Sequence, residues 1–204
     1  MPGIREDTPQ RELQVADLAE RAMAGNSYCF EKLVGLFQED IFRMVYYRTA
    51  SRMDAEDLTQ DIFTQAYRSL YRLKEAVRFK SWLFTIALNR VRDFYRKRRT
   101  LVFLGSQAEV AEFCENRKDA PEDMHGEEHL VRKDFWEHVR KLLINLSYRE
   151  REVFMLRFLD QLNIREISGI INKSESSVKT YLYRALRKIR DNPEFSHFIK
   201  GESL

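Results

Sequence analysis

Apolar residues recur every three or four positions along most of the chain, which is the periodicity of amphipathic helices. The pattern predicts a first helix over 13–23 that ends at Gly25, followed by a longer one over 30–45 that Asn26 can cap. Charged residues are abundant and glycine and proline are scarce, which is typical of a mostly helical protein. The chain is therefore expected to be all-α.

A third and a fourth helix follow after the pattern breaks at 46–53. Asp54 is the expected N-cap of the third helix, with Leu58, Ile62, Ala66 and Leu70 recurring at every fourth position toward the core. Residues 74–80 are expected to form a loop, and the fourth helix should occupy 81–99. It carries an apolar face of Trp82, Leu83, Ile86, Ala87 and Phe94.

The segment 146–190 predicts two helices, a tight turn and a third helix. Ser147 and Glu150 form a capping box, and Asn163 with Glu166 gives a weaker copy of the same start signal. Asn172 tolerates the left-handed conformation that closes a helix and turns the chain sharply. Ser174 is then the expected N-cap of the third helix.

The third of these helices has two chemically distinct sides. Its apolar stripe is Val178, Leu182, Ala185 and Ile189, which we expect to pack on Ile167, Ile170 and Ile171. Its other side carries Ser176, Lys179, Thr180, Tyr183, Arg184 and Arg187, opposed only by Glu175. A solvated basic helix in an ordinary bundle is the alternative interpretation. The short turn with caps on both sides favours a helix-turn-helix, which places such a face in the DNA major groove.

Charge is strongly segregated along the sequence. The segment 78–99 carries Arg78, Lys80, Asn89, Arg90, Arg92, Arg96, Lys97, Arg98 and Arg99, against Asp93 alone. Aromatic residues are interleaved, and Phe79, in the predicted loop, is the ring most expected to be exposed. Cations beside exposed rings suit single-stranded nucleic acid, because bases stack on the rings while cations contact phosphates. Most of the other rings are expected in the core.

The helix predicted from Asp54 has an acidic outer face that includes Asp57, Gln60, Asp61 and Thr64. An acidic first turn often does no more than stabilise a helix through its dipole. Docking onto a basic partner surface is the functional alternative, and the sequence leaves both open.

Five segments follow from these patterns. We expect a disordered N-terminus at 1–10, a helical domain at 11–100, a flexible acidic linker at 101–129, a helix-turn-helix domain at 130–192 and a tail at 193–204. Poor periodicity and eight carboxylates support the linker assignment. The fold class is thus two small helical domains joined by an acidic linker.

Composition narrows the function further. The chain has 204 residues, a formal net charge of +3, and two cysteines without a CxxC spacing. No signal peptide, membrane insertion, metal site or cofactor is indicated, and a reducing cytoplasm is expected. A nucleophile–base pair and a glycine-rich phosphate loop are both missing from the sequence, so an enzyme is the least favoured class.

Three stretches together resemble the extracytoplasmic-function (ECF) sigma factors, the promoter-recognition subunits of bacterial RNA polymerase. DAEDLTQDIF at 54–63 is similar to the family's polymerase-binding signature, and 79–99 is similar to its promoter-melting helix. LSYREREVFMLRF with the following helix-turn-helix is similar to its second DNA-binding domain. The resemblance covers roughly 13–190, and Asn172 departs from it where the family commonly has glycine.

The resemblance implies a role for each surface. Asp57, Gln60 and Asp61 would contact the clamp helices of the largest subunit of core RNA polymerase. The residues implied at the minus-ten element are Phe79, Lys80, Asn89, Arg90, Arg92 and Asp93, with one flipped base held in the 73–79 loop. Ser176, Lys179, Thr180, Tyr183, Arg184 and Arg187 would contact the minus-thirty-five duplex. The family also implies an anti-sigma partner.

Two other functions fit parts of the sequence. A helix-turn-helix regulator that binds DNA unaided would give the acidic face at Asp57 and Asp61 no role. An RNA-binding adaptor would use the segment 78–99 and leave the helix-turn-helix idle. Association with core RNA polymerase is expected of a sigma factor and of neither alternative, so it distinguishes the three.

Overall fold

The computed structural model describes residues 9–102 and 143–191, with side chains over 10–97 and 143–191. The chain divides into two compact units, which we describe separately. All regular secondary structure within the described ranges is helical. None of these helices combines the length and apolarity that a bilayer crossing requires.

The first unit contains four α-helices and two short 3₁₀ turns. In chain order these are α1 (Pro9–Met23), α2 (Ser27–Thr49), α3 (Arg52–Ser69), the turns Leu70–Arg72 and Ala76–Arg78, and α4 (Phe79–Val102). Helix α2 packs against α1 and α3, and α4 packs against both α3 and α2. The predicted loop at 74–80 is therefore partly helical, and α4 begins two residues earlier than expected.

Local capping chemistry sets the starts of α2 and α3. Asn26 caps α2 as predicted, because its side chain accepts the N–H of Cys29 at 3.2 Å. Helix α3 is capped by Ser51, which accepts the N–H of Asp54 at 3.3 Å. The prediction of Asp54 as N-cap was wrong, since a better-placed hydroxyl three residues earlier starts the helix first. Asp54 instead lies in the positive first turn.

The core of the first unit contains most of the predicted apolar stripes. Its largest fully buried side chains are Leu33, Ile41, Met44, Val45, Ile62, Phe79, Leu83 and Phe84. Ala66 and Leu70 are buried as predicted, whereas Leu58 is only half-buried. At the end of α2 the hydroxyl of Tyr95 donates to the carbonyl of Arg48, which fastens α4 to α2.

The C-terminal described range, most of which belongs to the second unit, contains α5 (Tyr148–Phe158), α6 (Ile164–Ile171) and α7 (Glu175–Arg190). Both predicted capping boxes form, at the starts of α5 and α6. Asn172 ends α6 with φ 51° and ψ 53°, the left-handed conformation that the sequence predicts. Ser174 then caps α7 by accepting the N–H of Ser177 at 3.2 Å. The predicted helix-turn-helix is confirmed.

The apolar stripe of α7 lies on the inner side of this unit. Val178 and Ala185 are fully buried, and Leu182 and Ile189 are half-buried. Ala185 and Ile189 pack with Leu143, Leu146 and Met155, so this half of the stripe contacts α5 and the residues before it. The predicted acidic linker, most of the predicted helix from 130 and the tail lie outside the described residues.

Candidate nucleic-acid and partner surfaces

Helix α7 presents all six predicted duplex-contacting residues on one exposed face. Ser176, Lys179, Thr180, Tyr183, Arg184 and Arg187 are each solvent-exposed. Their spacing places them within about 140° of arc, because each residue advances an α-helix by about 100°. Tyr183 is 66% exposed, which makes it a large projecting contact near the centre of the face.

The first turn of α7 is held by a cluster of hydroxyl groups. The Ser174 hydroxyl lies 2.9 Å from the hydroxyls of both Ser176 and Ser177, and the Thr180 hydroxyl donates to the Ser176 carbonyl at 2.9 Å. These bonds fix the hydroxyl positions where a major-groove helix meets base edges. At the other end Arg187 lies 3.5 Å from Asp191, an exposed and therefore weak pair.

Helix α4 brings four of the six predicted minus-ten residues to one side. Asn89, Arg90, Arg92 and Asp93 share a face by helical spacing, and Asn89 is exposed while the other three are half-exposed. Arg92 donates to the Asn89 amide oxygen at 3.2 Å. Asp93 pairs with the exposed Arg96 at 2.9 Å. The face is polar and net cationic, as a surface for nucleic acid requires.

Phe79 and Lys80 do not join this face. The sequence predicts an exposed Phe79 ring, but the side chain is fully buried and lies 5.7 Å from the ring of Phe37 and 5.9 Å from that of Trp82. Burying this large ring at the start of α4 gains more than any solvent-facing position would. Lys80 lies about half a helical turn from Asn89 around α4, so its side chain projects from the opposite side of the helix.

In the turn that follows α3, Tyr71 rather than Phe79 presents an exposed ring. Tyr71 lies in the first 3₁₀ turn and is 73% exposed, and the Arg72 guanidinium sits 5.4 Å from its ring centroid. Arg72 also donates to the Tyr71 hydroxyl at 3.0 Å. Sequence reasoning missed this pair, although a signal existed. Leu70 is the last residue of the predicted stripe, and Tyr71, directly after it, falls outside that stripe.

Helix α3 presents the predicted acidic face to solvent. Asp57, Gln60, Asp61 and Thr64 are all exposed and share one side of the helix. Met53 is 72% exposed and falls on the same side, one turn closer to the N-terminus. The surface therefore combines two carboxylates with an apolar side chain, which suits docking of a basic partner better than a merely solvated face does.

Glu150 is a buried carboxylate within the second unit. Burial raises the pKa of Glu150, but hydrogen bonds from Lys188 and from Ser147 outweigh it and hold the pKa below its ordinary value of 4.5. Lys188 donates from α7 at 2.7 Å, so the ionised carboxylate links α5 to the helix that carries the basic face. In the described ranges, His, Cys, Asp and Glu side chains do not gather into a metal-binding group.

Comparison with known proteins matches each unit to a sigma factor region. The model described as Sigma-70 region 2 matches residues 33–100, and the model described as Sigma-70, region 4 matches residues 137–189. A probable RNA polymerase sigma factor from Haemophilus influenzae is 30% identical over 147 residues, which cover 67% of this chain and 75% of that protein. The ECF RNA polymerase sigma factor BldN from Streptomyces coelicolor is 32% identical over 177 residues, 86% of this chain and 64% of BldN. This chain belongs to the ECF sigma factors.

The region 2 match of this ECF sigma factor contains all of α3 and nearly all of α4, and the region 4 match contains α5, α6 and most of α7. A solved structure, the sigma factor RpoE in complex with the anti-sigma factor NepR from Bartonella quintana, superposes with a TM-score of 0.57 at 21% identity. The superposition covers 85% of this chain and 98% of that one. It supports the all-helical fold.

Proposed function

We propose that this ECF sigma factor binds core RNA polymerase through α3 and directs it to promoters through α4 and α7. The observation that carries the proposal is the pairing of one exposed acidic face with an exposed basic face on a capped helix-turn-helix, in a chain of this family. Sigma factors are initiation factors without catalysis, and we propose that this chain likewise acts in the cytoplasm by binding alone.

The polymerase contact is proposed for the outer face of α3. Asp57, Gln60 and Asp61 would meet the clamp helices of the largest subunit, with charge complementarity speeding the encounter. Met53 would add buried apolar area at the edge of the same contact. All four side chains are exposed in the free protein, so binding requires no opening of the core.

The minus-ten contact is proposed for the face of α4 with Asn89, Arg90, Arg92 and Asp93. Because Phe79 is buried, we propose Tyr71 as the ring on which an unstacked base rests. Base–aromatic stacking contributes about 1–3 kcal/mol per base, enough to offset much of the cost of unstacking. Lys80 would contribute at most a phosphate contact on the other side of α4.

The minus-thirty-five contact is proposed for α7. Ser176, Lys179 and Thr180 lie in its first turns, where a helix in the major groove meets base edges. Tyr183 and Arg184 would extend that contact, and Arg187 would reach a phosphate. A sequence-dependent contact to guanine by Lys179 or Arg184 contributes roughly 1–3 kcal/mol.

The two units are proposed to act on one promoter, joined by the segment 101–129 as an acidic linker. We also propose that an anti-sigma protein holds this chain inactive, as NepR pairs with the Bartonella RpoE in the solved complex. The α3 face and the α7 face are exposed and therefore open to such a partner.

The test is a pull-down with core RNA polymerase followed by run-off transcription on genomic fragments. Asp57→Lys with Asp61→Lys should abolish capture, because both carboxylates would then repel the clamp helices. Lys179→Ala and Arg184→Ala should leave capture unchanged and each lower transcription roughly fivefold or more, from the 1–3 kcal/mol of a base contact.

A charge-matched control comes from α1. Glu12→Lys with Glu20→Lys reverses two exposed carboxylates on another helix and should leave capture and transcription unchanged. DNA binding by the chain without polymerase, combined with normal binding by the Asp57/Asp61 variant, would identify a stand-alone regulator instead.

A further inference from the structure

Lys188 differs from the other cations of α7 in what it contacts. Its Nζ lies 2.7 Å from Oε2 of Glu150, whereas the exposed Arg187 and Arg190 lie 3.5 and 3.3 Å from Asp191, the C-cap residue of the same helix. The Glu150 contact crosses between helices, from the last turns of α7 to the first turn of α5. Lys188 therefore joins two elements of the fold.

The carboxylate that receives Lys188 is itself held in place. The same Oε2 of Glu150 accepts the backbone N–H of Ser147 at 2.9 Å, which is the capping-box bond at the start of α5. The Glu150 side chain is only 7% exposed, so water competes weakly for it. A carboxylate that is fixed by one helix start offers a defined anchor point to the other helix.

Apolar packing also holds the C-terminal half of α7. Ala185 and Ile189 pack against Leu143, Leu146 and Met155, but apolar packing is non-directional and permits small rotations and shifts. Arg184, Arg187 and Lys188 line a shallow groove with Asn145, Glu150 and Asp191. Lys188 adds a directional contact, because its Nζ lies 2.7 Å from the buried carboxylate of Glu150, and such a contact limits rotation of α7 about its axis.

We propose that Glu150 and Lys188 are a positioning pair that sets the orientation of α7, so that a buried carboxylate strengthens duplex binding by the DNA-facing residues. The proposal rests on the proposed function of α7. Removing a negative charge from a DNA-binding unit ordinarily strengthens DNA binding. A positioning role for Glu150 predicts the reverse, namely that removing its charge weakens duplex binding.

Two substitutions separate positioning from charge. Glu150→Gln keeps the shape and the acceptor for Ser147 but removes the charge, and Lys188→Met removes the cation while keeping the stem. Positioning predicts that each weakens duplex binding by about two- to tenfold, the lower part of the range for coupled neighbours. Lys188→Met should be the weaker binder, because it leaves a buried carboxylate without its cation. The double variant should bind better than Lys188→Met alone.

The measurement is the affinity of the full chain assembled with core RNA polymerase for a duplex selected from a randomised minus-thirty-five pool by the wild type. Affinity is followed over a range of salt concentrations. If Lys188 only positions α7, the slope of log affinity against log salt concentration should have its wild-type value in both variants. A phosphate contact by Lys188 would instead lower the slope by about one and make the losses additive, and this result would overturn the proposal.

Two matched control variants show how duplex binding responds to the loss of an exposed charge alone. Glu175→Gln removes an exposed carboxylate from the first turn of α7 and should leave binding equal or stronger. Arg190→Met removes an exposed cation and should weaken binding with a lower salt slope. A Glu150→Gln variant that behaves like Glu175→Gln would also overturn the positioning role.

A measurement without DNA keeps this test separate from that of the proposed function. Amide hydrogen exchange in the free full-length chain should be faster over 185–190 in Lys188→Met, with α6 unchanged, because the last turns of α7 lose their anchor. Unchanged exchange there would refute the positioning pair even where polymerase binding and promoter selection succeed. Altered exchange in a chain that selects no duplex would instead reject the proposed function alone.

Discussion

Asn172 shows how one residue can determine a turn. It holds φ 51° at the end of α6, where the family commonly has glycine, and asparagine is among the few other residues that adopt this conformation readily. Asn172→Val should therefore lower the free energy of unfolding by about 1–2 kcal/mol, because a β-branched side chain is strained there. Asn172→Gly, the matched control, should be neutral or slightly stabilising. Chemical denaturation of the full chain checks both, and equal stability of the two variants would contradict the account.

The same scale shows what sequence can and cannot predict. The capping boxes at Ser147 and Asn163 were predictable because each depends on two side chains and a backbone three residues apart. The burial of Phe79 was not, because it depends on Phe37 and Trp82, of which Phe37 lies far away in the chain. The position of Phe79 in the predicted loop favoured an exposed ring, and tertiary packing buried it instead.

At the scale of elements, the link between α5 and α7 should depend on pH. The folded-state pKa of Glu150 is lowered, so the unfolded chain binds more protons in acid and the folded state loses stability there. The stabilisation is fully present above the ordinary value of 4.5 and is lost as pH falls through the lower folded-state pKa. The difference in unfolding free energy between wild type and Glu150→Gln should therefore be largest near pH 6 and shrink toward pH 3. A difference that is constant over this range would contradict the lowered pKa.

Helical periodicity explains why the candidate surfaces were largely predictable as elements. The outer faces of α3 and α7 follow directly from the spacing of their buried residues, such as Ile62 and Ala66 or Val178 and Ala185. The first residues of α3 and α4 were harder to predict from the sequence. Helix α3 starts after Ser51, the first residue able to cap it, and α4 starts at Phe79, whose side chain is buried in the core. Tyr71 was missed because it lies in a 3₁₀ turn that the sequence pattern did not separate from the third helix.

At the scale of the whole molecule, the proposed function divides between two units with separate tasks. The α3 face would control how much of the chain is bound to polymerase, and the α7 face would control what the assembled complex does at DNA. Residues in separate units without shared partners usually contribute independently. A defect in polymerase binding and a defect in DNA contact should therefore respond differently to the polymerase concentration.

Raising the concentration of core polymerase should restore transcription by a weakened α3 variant but not by an α7 variant. With Asp61→Lys, the Kd for polymerase is raised, so too little sigma factor is bound. Polymerase at a concentration well above that raised Kd restores the complex. With Arg184→Ala, the complex is already full, and the missing duplex contact persists at every polymerase concentration. Run-off yield, measured at fixed sigma factor and a low promoter concentration across a polymerase titration, checks both. Full recovery of Arg184→Ala would place that residue in polymerase binding, because only a deficit in assembly disappears when polymerase is in excess.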